Sequence, residues 1–180
     1  MIRHPFAGAL ALVVFLTFAG CTDGDGPTGV SGEASTLLGR SGGLLGTGLG
    51  SGLLACEPLP YAINTATIGP EGGTISVGPH VLAVPAGALS RAVVITAEAP
   101  VGRVNSVRLL PEGLAFAPGK PARLTLSYAN CPLLGQVLPK RIAYTSDLLS
   151  ILAYLLSVDD LLARQVSANL EHFSRYVVAW

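Results

Sequence analysis

Apolar and polar positions divide this chain into three textures. From Met1 to Gly20 fourteen residues are apolar, and no charged residue interrupts Pro5 to Gly20. From Thr22 to Ala55 the apolar residues thin to scattered positions and Leu-Leu pairs in a background holding eleven glycines. From Tyr61 onward short apolar stretches alternate with Gly/Pro turns, a pattern that predicts an all-β domain, an antiparallel β-sandwich, over residues 61–180.

Within that domain the turns mark the strands. Ala66–Ile68 leads into Gly69-Pro70-Glu71-Gly72-Gly73, where Pro presets φ and Gly supplies φ > 0. Thr74–Val77, a Gly78-Pro79 turn and His80–Val84 make a hairpin. Pro85-Ala86-Gly87-Ala88-Leu89 breaks the chain before Arg91–Ala97, whose Val93, Val94 and Ile95 favour a strand. Ser106–Leu110, Ala122–Tyr128 and Arg141–Thr145 read as further strands, as do two stretches between Gln165 and Trp180. Asp147–Ala163 is two-sided. Its apolar spacing suits a helix as well as a buried hairpin, with Asp159-Asp160 as turn or cap. The expectation there is strand, turn and room for one helical turn.

The first texture is an address. A short positive start, an apolar stretch too brief to span a bilayer and small residues at its end describe a secretory signal over residues 1–20. Phe18-Ala19-Gly20-Cys21 resembles the bacterial lipobox, in which the Cys is lipidated and becomes the new N-terminus. Thr22 at the next position resembles the outer-membrane form of that signal. Since one acyl chain holds a protein only marginally, two or three on Cys21 would make anchoring effectively permanent. The expected address is the bacterial cell envelope, with the membrane as a partner through Cys21.

Residues 21–60 then form a flexible tether, because Gly/Ser-rich composition cannot repay the entropy of ordering its backbone. Some 35 such residues place a domain roughly 30–35 Å from its anchor on average. Two enzyme patterns occur there without context. Gly24–Gly29 fits G-x-G-x-x-G but follows no strand and opens no helix. Gly39–Gly43 fits G-x-S-x-G around Ser41 without the strand and helix that expose a nucleophile. Asp23-x-Asp25-Gly26 begins like a calcium loop, but Ala34 stands where the bidentate Glu belongs.

Charge and cysteine usage narrow the chemistry further. Eleven Lys and Arg against eleven Asp and Glu give a formal net charge of zero, which argues against a nucleic-acid partner. With Cys21 assigned to lipid, Cys56 and Cys131 remain, and in an exported protein they are expected to pair. Two separate thiols are the alternative. Beyond the signal only His80 and His172 are available, with no C-x₂-C or H-x₃-H spacing, so no metal or other cofactor is expected.

Several pieces of residues 65–180 then act as a set: Gly69-Pro-Glu-Gly-Gly-Thr-Ile75, Leu82-x-Val84-Pro-Ala-Gly-Ala-Leu89, Leu110-Pro-Glu-Gly-Leu-x-Phe116 and Pro121-Ala-x-Leu-Thr-Leu-x-Tyr128. Their order resembles the ZU-five domain, a β-sandwich module of ankyrins, netrin receptors and tight-junction proteins with variants in bacterial exported proteins. Glu171-His-Phe-Ser-Arg-Tyr176 is similar to the family's terminal strand. The resemblance implies a binding or structural module without enzymatic activity. One branch of the family cuts itself at a His-Phe-Ser. Here that implies Ser174 Oγ attacking the Phe173 carbonyl, with His172 as base. The bland alternative has Phe173 and Tyr176 packing inward while His172 and Ser174 face outward. The sequence therefore leads to a lipid-anchored envelope protein presenting a sandwich to an unidentified protein partner, with self-cleavage between Phe173 and Ser174 as the alternative.

Overall fold

The computed structural model describes residues 52–132 and 138–180. Eleven strands form among them: β1 Ala62–Ile68, β2 Gly73–Val77, β3 His80–Val84, β4 Val93–Ala99, β5 Ser106–Leu110, β6 Ala122–Ser127, β7 Arg141–Thr145, β8 Ile151–Tyr154, β9 Ser157–Asp160, β10 Gln165–Leu170 and β11 Arg175–Ala179. They make two antiparallel sheets, ordered β1-β4-β5-β11-β7-β8 and β2-β3-β6-β10-β9. The domain is all-β, a β-sandwich.

Alternation sets which side chains meet between the sheets, because successive residues of a strand point to opposite faces. In β4 the buried Ile95, Ala97 and Ala99 alternate with Val94, Thr96 and Glu98. From the other sheet Ile75, Val77, Leu82, Val84, Leu124, Leu126, Val166 and Leu170 point inward to meet them. The β2–β3 hairpin pairs Val77 with His80 and Gly73 with Val84. Gly72, at φ 77°, turns the chain into it, and a Cβ there would lie 2.5 Å from the Val84 carbonyl oxygen. Only glycine fits.

The segment 147–163 is not helical. β8 pairs with β7, setting Tyr154 opposite Ala143, and Leu155 N–H continues the ladder to the Ile142 carbonyl at 2.8 Å. Ser157 Oγ then accepts from Ile142 N–H, and Asp159 accepts from Lys140 N–H, while β9 pairs with β10 of the other sheet. Residues 151–160 are thus one bent strand that leaves the first sheet at Leu155-Leu156 and joins the second, the corner device of sandwiches. Asp160 Oδ1 caps the following turn by accepting from Leu162 and Ala163 N–H. The expected strand is present, but not as a buried hairpin, since it forms the edge of both sheets and exposes most of its side chains.

Packing against the sandwich begins upstream of residue 61. Leu53 bridges Ala179, Ala55 bridges Val104, and Leu54 N–H donates to the Val178 carbonyl at 3.1 Å. Leu54 and Cys56 point into the main core, while Leu53 covers the outer face of the first sheet with Ala143, Val177 and Ala179. One of the Leu-Leu pairs is therefore structural. Composition alone could not separate it from the tether, because a two-residue apolar signal is lost among glycines.

Candidate functional site

The expected disulfide forms. Cys56 and Cys131 are bonded across 75 positions of sequence, joining the entering segment to the turn after β6. Beside it Asn105 donates to the Ser127 carbonyl at 2.8 Å and to Asn130 Oδ1 at 2.7 Å, and Asn130 donates to the Glu57 carbonyl. These amides satisfy backbone groups that the end of the sheet leaves without a strand partner.

The His172-Phe173-Ser174 segment enters β11 from the opposite end of the sandwich. Phe173 is fully buried, with its ring edge-on to Phe116 at 5.3 Å. Its N–H donates to the Leu114 carbonyl, and its own carbonyl accepts from Gly113 N–H at 2.9 Å. His172 is half-buried, edge-on to Tyr144 at 5.3 Å, and its carbonyl accepts from the Tyr176 hydroxyl at 2.6 Å. Burial pushes the Tyr176 hydroxyl well above its usual range. Among the described residues no hydrogen bond joins His172 to Ser174. The three residues are adjacent, but the base is not seated on the nucleophile. The Phe173 carbonyl does carry a backbone donor, an element of oxyanion stabilisation.

The motif pieces converge at this end. Gly87 N–H donates to the Pro70 carbonyl at 2.7 Å, Ala117 N–H to the Ala88 carbonyl at 2.9 Å, and the 113–114 turn grips Phe173 from both sides. Three turn sequences, around Pro70, Gly87 and Gly113, are joined by backbone bonds to one another or to the Phe173 segment.

Two buried ionisable side chains carry no role visible in the sequence. His80 is 1% exposed and Nδ1 accepts from Ser127 N–H at 3.1 Å; desolvation lowers its pKa to about 4. Lys140 is buried with its ammonium over the Tyr128 and Trp180 rings at 5.4 and 5.8 Å, and it donates to the Leu138 carbonyl. Desolvation lowers its pKa against the opposing pull of Asp159. Asp159 accepts from the Tyr128 hydroxyl at 2.7 Å, so a carboxylate pointing inward from β9 closes this end of the core.

A further feature is the bent strand's outer side. Leu148, Leu152, Tyr154, Leu156, Val158, Leu161 and Leu162 are all exposed along it. The sequence left a helix and a buried hairpin open here, and the run is strand with most side chains exposed. The available signal was the stretch Leu148–Val158, nine apolar residues of eleven without a charge, beside strands that already supply a full core.

Cys21, the apolar run 1–20, Ser41 and the other tether patterns lie outside the described residues. Among the described residues no group of three His, Cys, Asp or Glu could hold a metal ion, and no helix is long and apolar enough to cross a membrane. In sequence comparisons the chain matches no protein family and no curated protein.

Proposed function

We propose that this chain is a lipid-anchored protein of the bacterial cell envelope whose sandwich, of the ZU-five kind, is an interaction or structural module. The observation that carries the interaction reading is the run of exposed apolar side chains between residues 148 and 162, where Leu148, Leu156 and Leu162 are almost fully exposed. The convergence of the turn motifs around Phe173 supports the ZU-five likeness. The lipobox ending at Cys21 supports the anchor, and the tether between Cys21 and Gly52 supplies reach. Membrane fractionation of cells producing the full chain tests the anchor. The wild type is expected in the membrane fraction and Cys21→Ala outside it; a Cys21→Ala chain that stays in the membrane overturns the reading.

The second reading, self-cleavage, is favoured by the Gly113 N–H on the Phe173 carbonyl. Ser174 Oγ would attack that carbonyl carbon and the Ser174 nitrogen would leave, giving an ester that water resolves. The intact mass of the purified protein decides it. Loss of the fragment beginning at Ser174, abolished in Ser174→Ala, would establish cleavage, and an uncut chain would eliminate it.

A further inference from the structure

The outer face of the first sheet carries a polar row. β11 sets Arg175 directly opposite Arg108 of β5 on one side and Thr145 of β7 on the other. All three share the face that Val177 and Ala179 occupy, away from the main core. Like charges directly opposite one another destabilise a sheet. Here each guanidinium is met by an acid from outside the ladder. Arg108 is held closely, donating to Glu112 Oε1 at 2.9 and 2.6 Å. Arg175 is held loosely, with Asp147 Oδ1 at 3.4 Å and the Asp147 carbonyl at 3.5 Å, and the Asp147 side chain is 68% exposed.

The loose contact coincides with two unmet groups. Among the described residues, the buried side-chain polar atoms without a hydrogen-bond partner are Thr145 Oγ1 and Arg175 Nε, both from this row. Thr145 is only 2% exposed. An unpaired buried polar group is destabilising, and in a native protein it calls for a partner. Both residues line one cleft of about 260 Å³, walled also by Glu112, Asp147, Ser174 and Leu152.

The walls specify the partner's chemistry. Arg175 Nε only donates, the Thr145 and Ser174 hydroxyls donate or accept, and the two carboxylates only accept. Glu112 and Asp147 are matched in charge by Arg108 and Arg175, so the site is neutral as a whole. A carboxylate or phosphate entering it meets two acids, and an ammonium meets a guanidinium. A neutral ring bearing adjacent hydroxyls suits every wall. One oxygen accepts from Arg175, its neighbours donate to the acids and pair with Thr145, and a C–H face lies on Leu152. The volume falls just below the roughly 300–1,000 Å³ of drug-sized sites, room for one ring and not for several. Because both unmet atoms are buried, the guanidinium has to turn to meet a ligand, and its long contacts to Asp147 permit that. We propose that this cleft binds one pyranose unit of a neutral saccharide, Arg175 exchanging Asp147 for the sugar as it enters.

The inference gives the interaction reading a partner chemistry, and it rests on the cleft, not on the lipid anchor or the exposed run 148–162. The Cys21 fractionation and the following titration therefore fail independently. The Arg175 Nε–H and Thr145 methyl resonances of the purified full chain are followed by NMR during addition of the methyl glycosides of glucose, galactose, mannose and N-acetylglucosamine. Sodium acetate is added in a separate titration, and each reaches about 50 mM. The expected result is a saturable shift of both resonances with at least one glycoside, at millimolar Kd, and none with acetate. Thr145→Val keeps the side-chain shape and should weaken that binding about tenfold, read at Arg175, the worth of one hydrogen bond. Its denaturant midpoint should stay level or rise, because the hydroxyl it removes has no partner in the fold. No shift with any of the four glycosides overturns the proposal, whether or not the variant folds. So does undiminished binding or a lowered midpoint in Thr145→Val, which would assign the hydroxyl to the fold. A shift with acetate alone also overturns it and would make the cleft a carboxylate site.

Discussion

Acidification should weaken this sandwich through one side chain. His80 sits at the start of β3 facing the core, and its Nδ1 accepts a hydrogen bond from Ser127 N–H, so the buried ring is neutral with its proton on Nε2. Protonation would place a donor against a donor and a charge in the core. The folded group accordingly titrates at about 4 in place of the usual 6.5. Between these values the unfolded chain holds a proton that the folded chain does not. The contribution of neutral His80 is therefore fully present above pH 6.5 and is lost as pH falls through this window. The loss is about 2 kcal/mol by pH 5 and levels off near 3 kcal/mol below pH 4. Urea unfolding followed by Trp180 fluorescence at a series of pH values between 7.5 and 4.5 measures it. His80→Asn, which keeps an acceptor near the Nδ1 position without a titrating ring, should flatten the profile by that amount. The other histidines are common to both proteins, so the difference isolates His80. Equal pH slopes in the two proteins, within a few tenths of a kcal/mol, would refute the reasoning, as would an imidazole titration of His80 near 6.5 by NMR.

Three further outcomes are expected. Replacing Cys56 and Cys131 together by serine should lower unfolding free energy by about 4–5 kcal/mol, the loop-closure figure for a span of some 75 residues; denaturant midpoints in the oxidised and substituted proteins measure it, and a loss under about 1 kcal/mol contradicts it. Phe173→Ala should cost about 3–5 kcal/mol, since the ring is fully buried against Phe116; a change near zero by thermal or urea unfolding would mean the ring is not packed as described. Gly72→Ala should cost clearly more than Gly119→Ala, although φ is 77° at one and 74° at the other. At Gly119 a Cβ meets nothing, leaving only the conformational penalty of about 1–2 kcal/mol, whereas at Gly72 it strikes the Val84 carbonyl. Equal costs in paired unfolding curves would falsify the steric argument.

Much of the architecture was legible because period-2 alternation survives wherever one strand face is buried and the other is wet. Ser106–Leu110 and Arg141–Thr145 match β5 and β7 residue for residue, and the Gly78-Pro79 hairpin sits where its turn residues put it. The run 147–163 resisted because alternation reports burial, and here burial is not periodic. The strand changes sheets at Leu155-Leu156, inverts the side it turns inward, and keeps leucines on the outside. Leu53-Leu54 was hidden for another reason, since its partners Val178 and Ala179 are more than a hundred residues away. At the His-Phe-Ser segment the inward Phe173 was readable from spacing. The donor on its carbonyl was not, because Gly113 belongs to a turn that only the fold brings near. His80 and Lys140 were invisible as buried polar groups, since the residues that satisfy them are Ser127 and Leu138, contributing backbone atoms of no distinctive type.

The clasp between Cys56 and Cys131 also decides how the domain bears mechanical load. A pull applied from the N-terminal side reaches first the two ladder bonds at Gly52 and Leu54, to Trp180 N–H and the Val178 carbonyl, which can peel one at a time. Beyond them tension meets Cys56 and passes through sulfur to Cys131, so β1 through β6, which lie inside the closed span, sit off the line of force when the opposite grip is at Trp180. Extension of the oxidised domain can draw out only the remainder of the chain; reduction releases about 250 Å more, the contour of some 75 residues. A domain held this way gives up β7 to β11 under load, about half of each sheet, while β1 to β6 stay within the closed loop.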